Sequence, residues 1–497
     1  MIRIAAALAL AAFCAAALPP PAAAETLVVP LTGKRVRDIQ TSQLFHTLLH
    51  DFFLEDDATT YVQTGDIPAM WLRDSSAQTI PYIRYQKIYP VLRARFAGVI
   101  ERNARNILTD PYANALQADY HVWERKWEVD SLAWPAVLAS VYWRSTGDAT
   151  IFTPHLHAAL RTIVSTYECE AEHGQCSRYR YPYRTGTHDA YNPRTGMIWG
   201  AFRPSDDAVL YRFNIPQNAL AVVALRDIDE LAMDGYGDEA LGARAAALGA
   251  SVYAGVQRYG RYYDRRRREW LYGYETDGYG RYNVMDDANI PNLTTLPYID
   301  WCSSYDPTYV ATRNLVLSPA NPFYYAGRYA QGLGSPHTPP GWVWPLGLVG
   351  RALTATSRIE VATAITTLAE TDSEGGLTHE SFYADGYWRY TRMEFGWANA
   401  LGAELLFRSL AGEPATQFAW HGPILPFERR STTPTLVPLF TQIENAGEIV
   451  ATLGRLLHAG GASMPVARKS LLFEFVQRVR SGIGIEQGGV GIARARR

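Results

Sequence analysis

The chain has 497 residues, with 47 Lys and Arg against 49 Asp and Glu and a formal net charge of −2. That balance argues against a nucleic-acid or acidic-membrane surface, and the length allows two or three domains or one large toroid or barrel. Aromatic residues make up 12%, including 13 Trp and 31 Tyr, which suits sugar binding and a large core equally.

Residues 1–24 read as a secretory signal peptide. Arg3 supplies a positive start, residues 4–18 an apolar stretch, and Pro19, Pro20 and Pro21 end it. Ala22-Ala23-Ala24 then offers the small-residue cleavage pattern before Glu25. The apolar run is shorter than the roughly 20 residues of a membrane span. Phe13 before Cys14 argues against a lipoprotein. The expected location is therefore outside the cytoplasm, in a periplasm or the medium. No later stretch is long and apolar enough for a span. Of the later cysteines, Cys169 and Cys176 lie close together in a Gly- and charge-containing segment and are the candidate disulfide. Cys302 is left over, and the spacing is not that of a metal site.

Apolar spacing predicts helices over 36–53, 75–107, 131–145, 151–167, 217–233, 238–259, 345–353, 359–368 and 395–410. In 217–233, for example, Leu220, Val223, Leu225, Ile228 and Leu231 recur near the helical period. Strand signals are few: 178–183 and 269–282 are Tyr-rich with Gly nearby, as in short β-hairpins. The expected class is all-α, with helix pairs arranged as a toroid around residues 25–411. Residues 412–497 look different, with an irregular Pro-marked start, a helix at 442–458 and a basic stretch at 466–479. They read as a C-terminal extension of unknown role, partly disordered.

The connecting loops are unusual. Segments 65–76, 123–132, 202–218, 285–297, 334–344 and 378–399 mix Trp and Arg with Asp, Glu and Asn. Such loops suit convergence on a polar pocket. In the first, Trp71, Arg73 and Asp74 offer an aromatic wall, a donor fork and a two-oxygen acceptor. Asp74 or Ser75 serves equally as an N-cap for the helix that follows.

The run Gly65-Asp66-Ile67-Pro68-Ala69-Met70-Trp71-Leu72-Arg73-Asp74-Ser75 resembles the signature of glycoside hydrolase family 125, the exo-α-1,6-mannosidases. Further matches follow in order: Trp123 to Ser131, Phe202-Arg203-Pro204-Ser205-Asp206-Asp207-Ala208, Met285 to Asn292, Gly334-Ser335-Pro336-His337-Thr338, His379-Glu380-Ser381-Phe382 and Trp397-Ala398-Asn399. The resemblance implies an (α/α)6 toroid that removes terminal non-reducing α-mannose from an oligosaccharide, with inversion and with neither metal nor cofactor. Inversion uses two carboxyl groups roughly 6.5–9.5 Å apart, with a water between one of them and the sugar.

The resemblance places the acid within Ser205-Asp206-Asp207. Adjacent residues of a helix diverge by about 100°, so one of the two carboxyls is expected to enter the pocket. Asp207 is favoured and Asp206 stays open. The base is expected at Glu380, with Glu394 as competitor and Arg392 as the simple partner of Glu394. Substrate contacts are expected from Trp71, Arg73, Asp74, Glu128, Asp130, Arg203, Asn289, His337, Trp344 and His379.

Metal readings are weak. His155 and His157 have no carboxylate or Cys beside them in sequence, and the pairs Asp206-Asp207 and Asp286-Asp287 lack a further Asp at helical spacing. Asn292-Leu293-Thr294 is formally a glycosylation sequon but lies inside a pocket motif. Two other functions compete: a polysaccharide lyase, which wants a Tyr, His or Lys base and a basic groove, and a non-catalytic carbohydrate-binding protein.

Overall fold

A computed structural model describes residues 33–87, 89–180, 190–373 and 375–410. The expectations for residues 1–24 and 412–497, and half of the 178–183 hairpin, lie outside the described residues. Twelve helices are described: α1 (Gly33–His50), α2 (Leu72–Thr79), α3 (Val91–Thr109), α4 (Val129–Thr146), α5 (Pro154–Ala171), the single turn α6 (His173–Cys176), α7 (Ile215–Glu230), α8 (Glu239–Tyr259), α9 (Pro307–Val316), α10 (Pro345–Leu353), α11 (Arg358–Glu370) and α12 (Gly396–Leu410).

Local chemistry sets many of their ends. Thr153, Asn214, Asp238 and Asp306 each accept a hydrogen bond from a first-turn N–H of α5, α7, α8 and α9. Pro154, Pro216 and Pro307 occupy first-turn positions, where no N–H partner is needed. Gly147, at φ +65°, ends α4 in the left-handed conformation that glycine tolerates best. One expected helix is absent as such. Residues 75–107 divide into α2, a 3₁₀ segment Ile80–Lys87 and α3. Pro81 and Pro90 remove backbone donors at the two breaks. Helix α9 was not foreseen.

Burial separates the helices into two rings. Every residue of α2 is buried, and α4, α7, α10 and α12 are buried over most of their length. A helix buried on all sides belongs inside. Helices α1, α3, α5, α8, α9 and α11 show polar outer faces. In chain order the two kinds alternate, with the 3₁₀ turn Leu293–Thr295 in the fourth inner place. Helix α2 packs on α4, α4 on α7, the 3₁₀ turn on α10, α10 on α12, and α12 returns to α2. The result is the (α/α)6 toroid. Small antiparallel sheets decorate the loops. The strand 269–272 pairs with 261–264, and 275–276 with 282–283, so the expected 269–282 hairpin is two pairings. Among the described residues no helix is long and apolar enough to cross a membrane. Cys169 and Cys176 are bonded with Cα atoms 5.2 Å apart, and Cys302 is free.

Candidate active site

Because each inner helix is followed by an outer one that returns the chain, the inner segments all begin at the same end of the ring. The motif loops enter there. Trp71, Arg73 and Asp74 open α2, Glu128 and Asp130 open α4, residues 202–214 precede α7, His337 and Trp344 precede α10, and residues 379–397 lead into α12. Helix N-termini present unpaired N–H groups and a positive potential, which favours the carboxylates gathered around them.

Arg73 is the centre of the floor. Its Nη1 donates to Glu128 Oε2 at 2.7 Å and its Nη2 to Asp206 Oδ1 at 2.9 Å. Asp74 lies 3.6 Å from Nε and Asp130 3.7 Å from Nη1, and the guanidinium sits 5.9 Å from the Trp397 ring. Four carboxyl groups thus share one buried cation, with Lys126 as a second positive neighbour. They do not all stay ionised. Burial pushes Asp74 up to about 7 and Asp130 up to about 6, against the pull of Arg73. Burial also lifts Glu128 well above its ordinary range. Asp206 goes the other way: burial opposes its charge, but Arg73 and a hydrogen bond from Glu128 hold it low. Arg73, Glu128 and Asp130 therefore shape the site from beneath. Asp74 is in the first turn of α2 and does not cap it, since the helix begins at Leu72.

Asp206 and Asp207 do not lie on a helix. They form a turn in which Arg203 N–H donates to Asp207 O and Asp206 N–H to Arg203 O, closed by pairing of Phe202 with Ala208. Asp206 takes a left-handed φ of +62°, a strained choice for a side-chain-bearing residue that separates the two carboxyls. Asp206 turns inward to Arg73. Asp207 turns to the open side, accepting from Ser205 Oγ at 2.9 Å and lying 3.5 Å from His337 Nδ1. Its hydrogen bond to Asp207 raises His337 to about 9, helped by the charges of Asp207, Asp206 and Glu380. His337 stands edge-on to Trp344, whose Nε1 donates to Thr338 Oγ1 at 2.9 Å.

Glu380 follows the turn that leads to the strand Phe382–Tyr383. Arg392 Nε donates to Glu380 Oε1 at 3.2 Å and Arg392 Nη1 pairs with Asp66. Arg392 is thus the partner of Glu380 rather than of Glu394, which faces His46 Nε2 at 3.6 Å. His379 neither holds that carboxylate nor faces the open side. Its Nδ1 meets Arg392 O at 3.0 Å, its ring stacks on Tyr390, and burial lowers its basicity.

Other expected contact residues also have protein partners. Arg203 is buried with Nε on Glu275 Oε1 at 2.6 Å. Asn289 gives both its backbone and its amide N–H to Asp287 Oδ1. Asn292 is buried and caps the 3₁₀ turn, out of reach of glycosylation. His155 and His157 do have carboxylate partners, Glu101 and Asp238, brought from distant segments. Sequence reasoning missed Gln217, which donates to Asp130 Oδ1 at 2.5 Å, and Asn114, 3.4 Å from Asp206 Oδ1. Gln217 lies in the loop-and-cap segment 202–218, so it was inside a marked motif; Asn114 was in none.

The family model for metal-independent α-mannosidases (GH125) matches residues 34–407. The meiotically up-regulated gene 157 protein of Schizosaccharomyces pombe (strain 972 / ATCC 24843) is 34% identical over 398 residues, covering 71% of this chain and 77% of that protein. A Streptococcus pneumoniae metal-independent α-mannosidase, solved as a non-productive complex with α-1,6-mannobiose, is 35% identical with a TM-score of 0.73. The match covers 76% of this chain and 94% of that one. A bacterial glucoamylase complexed with acarbose has a TM-score of 0.50 at 12% identity, over 70% of this chain and 50% of that one, a likeness of fold alone.

Proposed function

The chain belongs to the metal-independent α-mannosidases of glycoside hydrolase family 125, and on that premise we propose that it is an exo-acting enzyme that releases terminal α-1,6-linked mannose with inversion. Asp207 is the acid. It passes its proton to the glycosidic oxygen as the C1–O bond breaks. Glu380 is the base. It takes a proton from the water whose oxygen attacks C1 from the opposite face, so the α-linkage yields β-mannose. The observation that carries this reading is His337, which lies 3.5 Å from Asp207 and feels the charge of Glu380 as well. Two carboxyls from distant segments therefore act on one imidazole. The S. pneumoniae relative's complex with α-1,6-mannobiose supports the linkage. The buried Arg73 cluster closing the inner end of the site supports recognition of a chain end. We also read the enzyme as exported, on the pattern of residues 1–24; the Cys169–Cys176 bond accords with an oxidising compartment.

The test is hydrolysis of α-1,6-mannobiose in EDTA, followed by proton NMR. Initial release of β-mannose is expected. Initial α-mannose overturns inversion, and cleavage of another linkage alone overturns the specificity.

A further inference from the structure

Where the first and last helices meet, a second group of polar side chains converges. His46 lies on α1, Asp51 just beyond its end, and Glu394 just before α12. One ligand atom from each falls within 4.8 Å of the others, and His46 Nε2 is 3.6 Å from Glu394 Oε2. We propose that His46, Asp51 and Glu394, with the amide oxygen of Gln78, form a binding site for a divalent transition-metal cation, best matched by Zn²⁺, that clasps the seam of the toroid.

Three observations besides the cluster support a ligand. Gln78, on α2, is fully buried, and neither atom of its amide has a hydrogen-bond partner. Such an orphan is destabilising unless something occupies the space before it. Second, Gly396 keeps that space open. A Cβ built there would stand 2.3 Å from Asp51 Oδ2 and 3.3 Å from Gln78 Oε1, so both oxygens face the same gap. Gly396 is not among the residues with positive φ, so volume rather than backbone conformation calls for glycine. Third, Glu394 is held in place by an outer layer. Asn399 Nδ2 donates to Glu394 Oε2 at 3.2 Å, while Asn399 Oδ1 accepts from Thr378 N and Oγ1. Ligand carboxylates are oriented in this way in protein metal sites.

The donor set defines the chemistry. One imidazole, two carboxylates and one amide oxygen suit a borderline ion such as Zn²⁺ in four-coordination. Bonds of about 2.0–2.2 Å put ligand atoms roughly 3.4 Å apart in a tetrahedron, so the side chains need only a small closure. The carboxylates neutralise the ion. The ligands come from α1, α2 and the entry to α12, and α12 packs against both α1 and α2. The cation therefore ties the first outer helix to the last inner one and adds stability. Neither Asp207 nor Glu380 is a ligand, so turnover stays metal-independent.

The experiment uses the full, untagged chain, stripped with EDTA, dialysed and titrated with Zn²⁺ alone by calorimetry, with thermal melts in parallel. Uptake of about one equivalent is expected, with a Tm that rises with free Zn²⁺. His46→Gln and Glu394→Gln, each checked for native circular dichroism, should weaken uptake about tenfold or more. Stripped wild-type protein should still release mannose at its former rate. Absence of saturable uptake overturns the site, as does uptake that neither substitution changes. Loss of turnover on stripping overturns its separation from catalysis.

Discussion

Asp206 and Asp207, adjacent in sequence, face different partners: Asp206 accepts from Arg73 at 2.9 Å, whereas Asp207 lies 3.5 Å from His337. An acid catalyst must carry a proton and reach the leaving oxygen. Asp206 is held ionised by Arg73 and points to the floor, which is why Asp207 is the proposed acid. Asp207→Asn should lower kcat on α-1,6-mannobiose by about 100-fold or more. An aryl mannoside with a good leaving group needs no protonation, so that variant should retain far more of its rate there. Glu380→Gln should lose both activities, because water must be activated for either substrate. Asp206→Asn should lose stability instead, about 1.5–3 kcal/mol for a charge-assisted hydrogen bond to a buried guanidinium. Equal loss on both substrates in Asp207→Asn would sink its assignment as the acid.

Glu128 behaves as a buried carboxylic acid. Its Oε2 accepts from Arg73 and from Ser131 Oγ at 2.8 Å, while Oε1 is buried without a partner if the group is ionised. Protonated, Oε1 becomes a donor, and its neighbour is Asp206. Glu128→Gln keeps an acceptor and a donor in the same places and should stay near wild type in denaturant melts. Glu128→Ala leaves Nη1 of the buried Arg73 without its hydrogen-bond acceptor and should cost about 1–3 kcal/mol. A Gln variant as unstable as the Ala variant would show that the charge of Glu128 matters after all.

Asp74 sets a pH dependence of stability. Burial raises it from 3.8 to about 7 in the folded protein. Its contribution is therefore fully present below pH about 4 and is lost as pH rises through 7, because the unfolded chain releases the proton more readily. Asp130, raised to about 6, acts in the same sense. Asp74→Asn cannot titrate, so its unfolding free energy should fall less than that of the wild type between pH 4 and 8. Equal slopes in denaturant melts across that window would contradict the assignment.

The sequence made the helical ring largely legible because inner and outer helices carry regular apolar spacing. It misled where single residues override the period. Pro81 and Pro90 break what reads as one helix over 75–107, and a left-handed Asp206 replaces the helical pair expected at 206–207. The motif residues do collect at one end of the ring, but their roles depend on contacts that sequence distance hides. Arg73 and Arg203 read as sugar ligands, and folding also gives them Glu128, Asp206 and Glu275 as partners. Arg392 was matched to its near neighbour Glu394, whereas folding gives it to Glu380 and Asp66. Burial decides these cases, since an interior guanidinium must find carboxylates whatever their place in the chain.

His337 should set the alkaline limit of activity. Its Nδ1 lies 3.5 Å from Asp207, whose carboxylate raises the imidazole to about 9, so at neutral pH His337 carries a proton beside that group. A protonated imidazole there is a proton store next to the proposed acid. In the wild type, kcat/KM should therefore fall as pH rises through about 9. His337→Asn keeps a polar side chain but cannot store a proton. The alkaline limb should then move to lower pH. Stability should shift in the same direction: a raised His contributes fully below its unfolded value near 6.5 and loses that contribution as pH passes 9. The variant should lack this loss. A pH–rate profile with an unmoved alkaline limb in His337→Asn would assign that limb to another group and leave His337 as a neutral contact.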